Sequence, residues 1–564
     1  MPVASPRTPP KGKSGTFTVA FVHPDLGIGG AERLVVDAAL GLRTRGHRVH
    51  IYTSHHSPAH CFPETVGPAA VPVTVCGDWL PRSIAGSMHL LCALARHLYL
   101  ILWLCRQSWS STSTPDVYVV DQIAVGVPLL RWATGKRVLF YCHFPDKLLT
   151  GGQGKGALAR AYRVPLDWLE DRGTAAADEM LVNSKFTRAV TAIAFPKLRA
   201  ASAVVYPGVA APAADAPPMI DVQWASEGPL VLSINRFERK KVLHLAIAAF
   251  KEAAVPDAVL VLAGGYDPLV DENAAVLASL RKQCTALGLE HVTLPPSAYP
   301  KPGGTLYLPS TTKPQKPGSS SGTSETGSRP RVVFMPSVPE PLKRGLLARA
   351  TVLVYTPPYE HFGIVPVEAM RAGVPVVAHA SGGPAESVVH LRTGWLCEPE
   401  SISAASAPSS SPSASPTRGR SPATATSTSP ARSASRSVSP GSWPASDDDT
   451  DAGDYLLEPA RPVDLVAVRA TLRDVSRPFD PAHPPFGSAA AWAALMREFA
   501  RGIRWAAVDV RTGRDRERVR RACVARAEAR FGIERFVDGI EAGLMVCMAG
   551  ASATASAGKR GKVQ

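Results

Sequence analysis

None of the nine cysteines in this 564-residue chain forms a Cys-x-x-Cys pair. Their odd, scattered set excludes a disulfide framework and a structural zinc site, and a reducing compartment fits best. No His/Cys/Asp group has metal-ligand spacing. No G-x-S-x-G elbow is present, so acyl transfer lacks its nucleophile. Charged residues are few, at 19%, and tilted toward Lys and Arg, giving a formal net charge of +15. That balance suits nucleic acid, an anionic membrane surface or phosphorylated ligands. The chain has no zinc-finger spacing and no RNP-type aromatic pattern, which removes nucleic acid from the expected partners. Residues 1–15 contain Pro and Lys but no apolar core, so they do not read as a secretory signal. No clean apolar run of the ~20 residues needed to span a bilayer occurs either. The best candidate, Met88 to Cys105, is broken by Arg96 and His97. An arginine near the centre of a span costs ~2.5 kcal/mol or more, so this segment reads as a helix buried in a domain or lying in the bilayer interface. Gly543 to Met548 is too short to span.

An apolar content of 45% over 564 residues is enough for two or three cored domains. From residue 16 to about 210, apolar strands alternate with helical segments: strands at Phe17 to Val22, Val49 to Thr53, Val117 to Val120, Val138 to Tyr141 and Glu179 to Val182, with a helix at Ala31 to Leu42 and a helix start at Ser184. A second series has strands at Leu230 to Ile234, Val259 to Ala263, Val332 to Met335, Val352 to Tyr355 and Val374 to Ala378. Alternation of this kind predicts parallel, doubly wound α/β sheets, and two in tandem leave a cleft beyond the strands' carboxyl ends. The predicted organisation is a disordered 1–15, a first domain over 16–215, a second over 216–487, helices over 488–548 and a disordered tail over 549–564. Segments 301–330 and 401–452 are dense in Ser, Pro, Thr, Gly and Ala, and read as disordered insertions in the second domain. Trp492 to Phe499 and Val508 to Phe531 read as helices, the latter with a basic, solvated face.

Glu360 and Glu368 bracket the point where the strand ending at Tyr355 gives way to a helix running from Phe362-Gly363 to about Ala372. At ~1.5 Å per residue, a ligand over that helix start could meet both carboxylates and the uncapped amides. By itself such a pair reads first as two surface acids on a solvated helix; the flanking residues reverse that in favour of a nucleotide-sugar site. Arg236 and Lys241, in Asn235-Arg236-Phe237-Glu238-Arg239-Lys240-Lys241, follow the second domain's first strand, where two cations can neutralise a diphosphate without a metal. Spacing selects Lys241 as the inward lysine and leaves Arg239 and Lys240 to solvent. Gly29 and Gly30 join the first strand to the first helix and suit either a close ligand approach or a structural turn. That loop has neither G-x-G-x-x-G spacing nor a Walker lysine. His143, just past a first-domain strand, is either structural or a cleft residue.

Taken together, His23-Pro24-Asp25-Leu26-Gly27-Ile28-Gly29-Gly30-Ala31-Glu32-Arg33, Tyr141-Cys142-His143-Phe144-Pro145-Asp146, the Asn235 to Lys241 motif and Ala263-Gly264-Gly265-Tyr266-Asp267 resemble the retaining family-4 glycosyltransferases of GT-B fold. Within them, the likeness is to the eukaryotic mannosyltransferase family that adds the second and third mannoses to the dolichol-linked precursor of asparagine-linked glycans. It covers most of residues 16–400 and the C-terminal helices. The resemblance implies two facing Rossmann-like domains, GDP-mannose as donor, dolichol-diphosphate-linked Man-GlcNAc2 and Man2-GlcNAc2 as acceptors, and α-1,3 and α-1,6 linkages formed with retention and without a catalytic metal. It implies that Glu368 binds the ribose. Glu360 and the amides of Phe362, Gly363 and Ile364 would hold the mannose, and Arg236 and Lys241 the diphosphate. Gly29 and Gly30 would let the first domain close over the phosphate, and His143 would lie near the anomeric carbon. It further implies the cytosolic face of the endoplasmic reticulum membrane, contact with the membrane surface and a complex with neighbouring glycosyltransferases. A different nucleotide sugar, or an inactive scaffold, is the alternative.

Overall fold

The computed structural model describes residues 15–58, 60–84, 88–110, 114–149, 157–196, 198, 202–211, 216–223, 228–268, 270–307, 330–398, 463–480, 484–486, 488–511 and 513–560. Of the segments expected to be disordered, residues 1–14 of 1–15, 308–329 of 301–330 and all of 401–452 lie outside them. The first sheet is built from β1 (Thr18–His23), β2 (Arg48–Thr53), β3 (Val73–Val75), β4 (Val117–Asp121), β5 (Arg137–Cys142), β6 (Glu179–Val182) and β7 (Ala203–Val204). Its order is β3-β2-β1-β4-β5-β6-β7, with every pair parallel. Helices cover both faces, so successive strand residues enter different cores. Val19, Phe21, Val117, Val119, Leu139 and Tyr141 pack toward one side, while Ala20, Val22, Tyr118, Val120, Val138 and Phe140 pack toward the other.

The second domain opens with β8 (Asp221–Gln223), followed by β9 (Leu230–Ile234), β10 (Val259–Gly264), β11 (His291–Thr293), β12 (Thr305–Tyr307), β13 (Val332–Pro336), β14 (Val352–Tyr355), β15 (Val376–His379) and β16 (Gly394–Cys397). Its main sheet runs β11-β13-β10-β9-β14-β15-β16, again all parallel. Strand order reverses between β9 and β10 on one side and β14 on the other, and loops at such a switch point are where ligands bind.

Three expectations are corrected. Residues 301–307 do not belong to a disordered insertion: Gly304 closes a turn onto the Lys301 carbonyl, and β12 pairs with β8, burying Leu306. The helix read at Trp492 to Phe499 extends over Ala489–Ala507, the one read from Val508 starts later, at Gly513, and runs to Phe531, and both pack on the second domain through Leu495, Phe499, Ile503, Val519 and Cys523. A third helix, Ile533–Arg560, returns to the first domain, where Phe536, Val537, Ile540 and Leu544 join its core. It runs through 549–560, read above as tail, where alanine, the best helix former, is abundant. The helix expected within Met88 to Cys105 is present, over His89–Ser110. Leu100, Ile101 and Leu104 are buried on the sheet while Leu102 and Trp109 are exposed, and Arg96 turns inward to the Ser54 carbonyl and Asp78. By length and composition it could cross a membrane, with 44% of its apolar window buried against the domain.

Candidate active site

The second domain's side of the cleft starts where β9 ends. Gly264 has φ +138°, and a Cβ there would lie 2.2 Å from the Asn235 carbonyl oxygen, so only glycine lets β10 turn this close to the β9 loop. Residues Arg239–Lys241 form a single 3-10 turn ended by Val242 in the left-handed region. Thr356 donates to the Lys241 carbonyl at 2.6 Å. The turn directs Lys241 inward, 8% exposed, and its ammonium donates to Glu360 at 2.5 Å. Lys240 and Arg236 are exposed and share Glu238, at 3.1 and 2.9 Å. Burial pushes the Glu360 carboxyl up, but Lys241 and then His361 outweigh it and hold the group at about 2.

The Glu360 loop is fixed by glycine contacts that sequence reading missed. Gly383 donates its amide to the Glu360 carbonyl, and Gly382, at φ +65°, would place a Cβ 2.3 Å from that same oxygen. Gly363, at φ +79°, precedes the helix Ile364–Arg371, and no side chain caps that start. Glu368 lies on the helix's second turn. It receives a 2.9 Å hydrogen bond from Lys343, which also pairs with Glu340 at 2.9 Å. Burial pulls the Lys343 ammonium down, and Glu368 followed by Glu340 raises it above its ordinary value. Lys343 stands in a helix, Glu340–Arg349, with no motif to announce it.

His143 follows β5 and is 21% exposed in side chain. Its Nε2 is 2.8 Å from Asp121, the last residue of β4, and the other Asp121 oxygen is 2.8 Å from Nδ1 of His23, the last residue of β1. Next to it, Phe144 stacks on the His361 ring with centroids 3.9 Å apart. Ser184, the N-cap of the helix Lys185–Ala194, donates to the His361 carbonyl at 2.6 Å. The start of that helix also receives the Glu386 carboxylate, which accepts the Lys185 and Phe186 amides at 2.9 and 2.7 Å and the Tyr206 hydroxyl at 2.8 Å. The first domain therefore grips the 359–362 loop of the second. Gly29 and Gly30 open the helix Gly30–Thr44 in the loop after His23, and among the described residues no hydrogen bond or ion pair joins either of them to the second domain. Lys241 and Glu360 are thus in direct contact and His143 faces the same loop, whereas Arg236 points away to Glu238. Among the described residues no group of three or more His, Cys, Asp or Glu could hold a metal ion.

Two family models match: Glycosyltransferase Family 4 over residues 28–211 and Glycosyl transferases group 1 over residues 320–409. Together with the two facing parallel sheets, they give the GT-B fold. Among solved structures, sucrose-phosphate synthase from Thermosynechococcus elongatus is 18% identical, with 69% of this chain and 87% of that one covered and a TM-score of 0.46, a likeness too slight to argue from. The curated relatives are closer. The alpha-1,3/1,6-mannosyltransferase ALG2 of Rhizomucor pusillus is 42% identical over 398 residues, covering 68% of this chain and 81% of the relative. That of Saccharomyces cerevisiae is 40% identical over 410 residues, covering 69% and 76%. Identity at that level over most of both chains makes this chain a member of the ALG2 family of alpha-1,3/1,6-mannosyltransferases, glycosyltransferases of the GT-B fold.

Proposed function

We propose that the chain transfers mannose from GDP-mannose to dolichol-diphosphate-linked Man-GlcNAc2 and then Man2-GlcNAc2, forming one α-1,3 and one α-1,6 linkage. The observation that carries this reading is the inward Lys241–Glu360 pair, set at a strand-end switch point beside the uncapped helix that bears Glu368. Lys241 and the exposed Arg236, which can swing off Glu238, neutralise the donor diphosphate and make GDP a better leaving group. Glu360, kept ionised, accepts hydroxyls of the mannose together with the amides around Phe362, Gly363 and Ile364. Glu368 takes the ribose hydroxyls once Lys343 yields to them. Gly29 and Gly30 form the first-domain wall over the phosphate, and His143 lies near the anomeric carbon. The leaving phosphate accepts the acceptor's proton as the new bond forms on the same face, which preserves the anomeric configuration and needs no protein nucleophile.

The helix His89–Ser110 supports a membrane-bound site of action. Its outer residues Leu91, Leu102 and Trp109 are exposed beside Trp79 and Trp132, and the net charge of +15 favours anionic lipid. In this reading the first domain rests on the cytosolic face of the endoplasmic reticulum, where the lipid-linked acceptor is presented.

The test is transfer from labelled GDP-mannose to a diphosphate-lipid chitobiose carrying one β-mannose, with products digested by linkage-specific mannosidases. Products of two and three mannoses, sensitive to α-1,3 and α-1,6 cleavage, are expected. Transfer from a UDP-sugar but not from GDP-mannose would overturn the donor assignment.

A further inference from the structure

β1, β4 and β5 lie side by side and end level with one another: Val22 pairs with Val120, and Asp121 with Tyr141. His23 and Asp121 are the last residues of β1 and β4, and His143 follows the end of β5, two positions past Tyr141, completing the row His23, Asp121, His143. Asp121 is 1% exposed and His23 is fully buried, so only His143 reaches the cleft. An ionised carboxylate only accepts hydrogen bonds. Both imidazoles must therefore donate to it, His23 from Nδ1 and His143 from Nε2. The tautomer of neutral His143 is thereby fixed, with its proton on Nε2 and its Nδ1 lone pair available.

Asp121 would be costly to keep charged at this depth without compensation. Burial alone pushes the group up, yet His143 and His23 hold it at about 2. The compensation on the far side is directional. Burial pulls His23 down, and its bond to Asp121 lifts it above the ordinary histidine value. The neighbouring His97, from the helix His89–Ser110, is kept neutral by burial and by His23, at about 4. Nε2 of His23 and both ring nitrogens of His97 are buried and find no hydrogen-bond partner among the described residues. This polar row is never used as surface, and the packing of an apolar core would be better served by aliphatic residues. A purely structural carboxylate has no need of a partner that opens to the substrate cleft.

We infer that Asp121 is a positioning residue for mannosyl transfer, holding His143 with Nδ1 free to accept from the donor sugar, while buried His23 anchors the carboxylate from behind. The role rests on the proposed function, since His143 is assigned to the donor by that reading.

The experiment is a double-mutant cycle read in kcat on the full chain with GDP-mannose and the lipid-linked acceptor. Asp121→Asn keeps size but puts a donor against Nε2, forcing the other tautomer. It is expected to lower kcat by about 10²-fold or more while leaving KM for GDP-mannose within about 3-fold. In a His143→Ala background the same substitution should change kcat by less than about 3-fold, because its effect passes through the imidazole. A structural role would cost the same in both backgrounds. Equal losses, or an Asp121→Asn enzyme within about 3-fold of wild type, overturn the inference. Should Asp121→Asn lower the unfolding midpoint, His23→Asn, which keeps a donor toward Asp121 but not the ring, is read in the same cycle. Its loss in kcat must also vanish without His143, and additivity overturns the inference. If wild-type protein fails to use GDP-mannose at all, it is the proposed function that falls.

Discussion

Replacing Lys241 with methionine keeps the length of the side chain and removes the ammonium that contacts Glu360. Glu360 is held at about 2 against an ordinary 4.5, and only 22% of its side chain is exposed. At ~1.4 kcal/mol per unit, that difference corresponds to about 3 kcal/mol of native-state interaction at pH 7. The carboxyl is depressed on folding, so this stability is present above 4.5 and is lost as pH falls toward 2. Lys241→Met should therefore destabilise the second domain by about 2–3 kcal/mol at pH 7, within the range for breaking a partly buried pair. Most of the cost is the stranded carboxylate, not the missing ammonium. Adding Glu360→Gln should accordingly recover about 2 kcal/mol. The assay is urea unfolding of wild type, both single variants and the double variant at pH 7 and pH 3, following the midpoint. A double variant no more stable than Lys241→Met would refute the reasoning, as would a Lys241→Met penalty unchanged at pH 3.

Three further outcomes follow from buried groups. His97, His244 and His379 are buried, and burial holds them at about 4, 3 and 4. Because these values are depressed on folding, stability is full above 6.5 and falls as pH drops. Each group should cost about 2 kcal/mol at pH 5, and His244→Asn should flatten the acid limb of the unfolding midpoint. Glu170, which accepts the Asp146 and Lys147 amides, is raised to about 7 by burial and then by Asp146. A raised carboxyl stabilises the fold at low pH and loses that contribution as pH rises through 7. Glu170→Gln should gain about 2 kcal/mol on wild type between pH 5 and pH 8, measured by thermal unfolding. Gly264→Ala meets both a φ of +138° and a Cβ 2.2 Å from the Asn235 oxygen. It should cost at least ~1–3 kcal/mol in thermal unfolding, and under the proposed function it should also weaken GDP binding in calorimetry by displacing the β9 loop.

The sheets were legible because parallel strands buried on both faces appear as continuous apolar runs such as Leu230 to Ile234 and Val117 to Val120. Lys241 was legible for a local reason: two residues after Arg239, it ends the turn that leads into the next helix. What stayed hidden depends on partners distant in sequence. Glu386 accepts amides 200 residues earlier, and Asp121 joins histidines 98 residues before it and 22 after it. No periodicity encodes such pairs. β12 was masked by the Pro- and Gly-rich composition around it, and the return of the last helix by a composition that reads equally well as tail.

That return has a mechanical consequence. The backbone passes between the domains twice, once near Val209 and once at Gly532, and the two passes pair as neighbours, with the Val209 amide donating to the Phe531 carbonyl at 2.8 Å. A Cβ on Gly208 would collide with the Ile533 backbone at 2.9 Å, so the passes are pressed together. Two adjoining chain passes make a pin in place of a swivel, because a single free linker would leave the domains joined at one point and the paired crossing joins them at two. The Phe144–His361 stack and the Glu386 contacts lie across the same boundary, so the two domains are tied at this double crossing and at the 359–362 loop together.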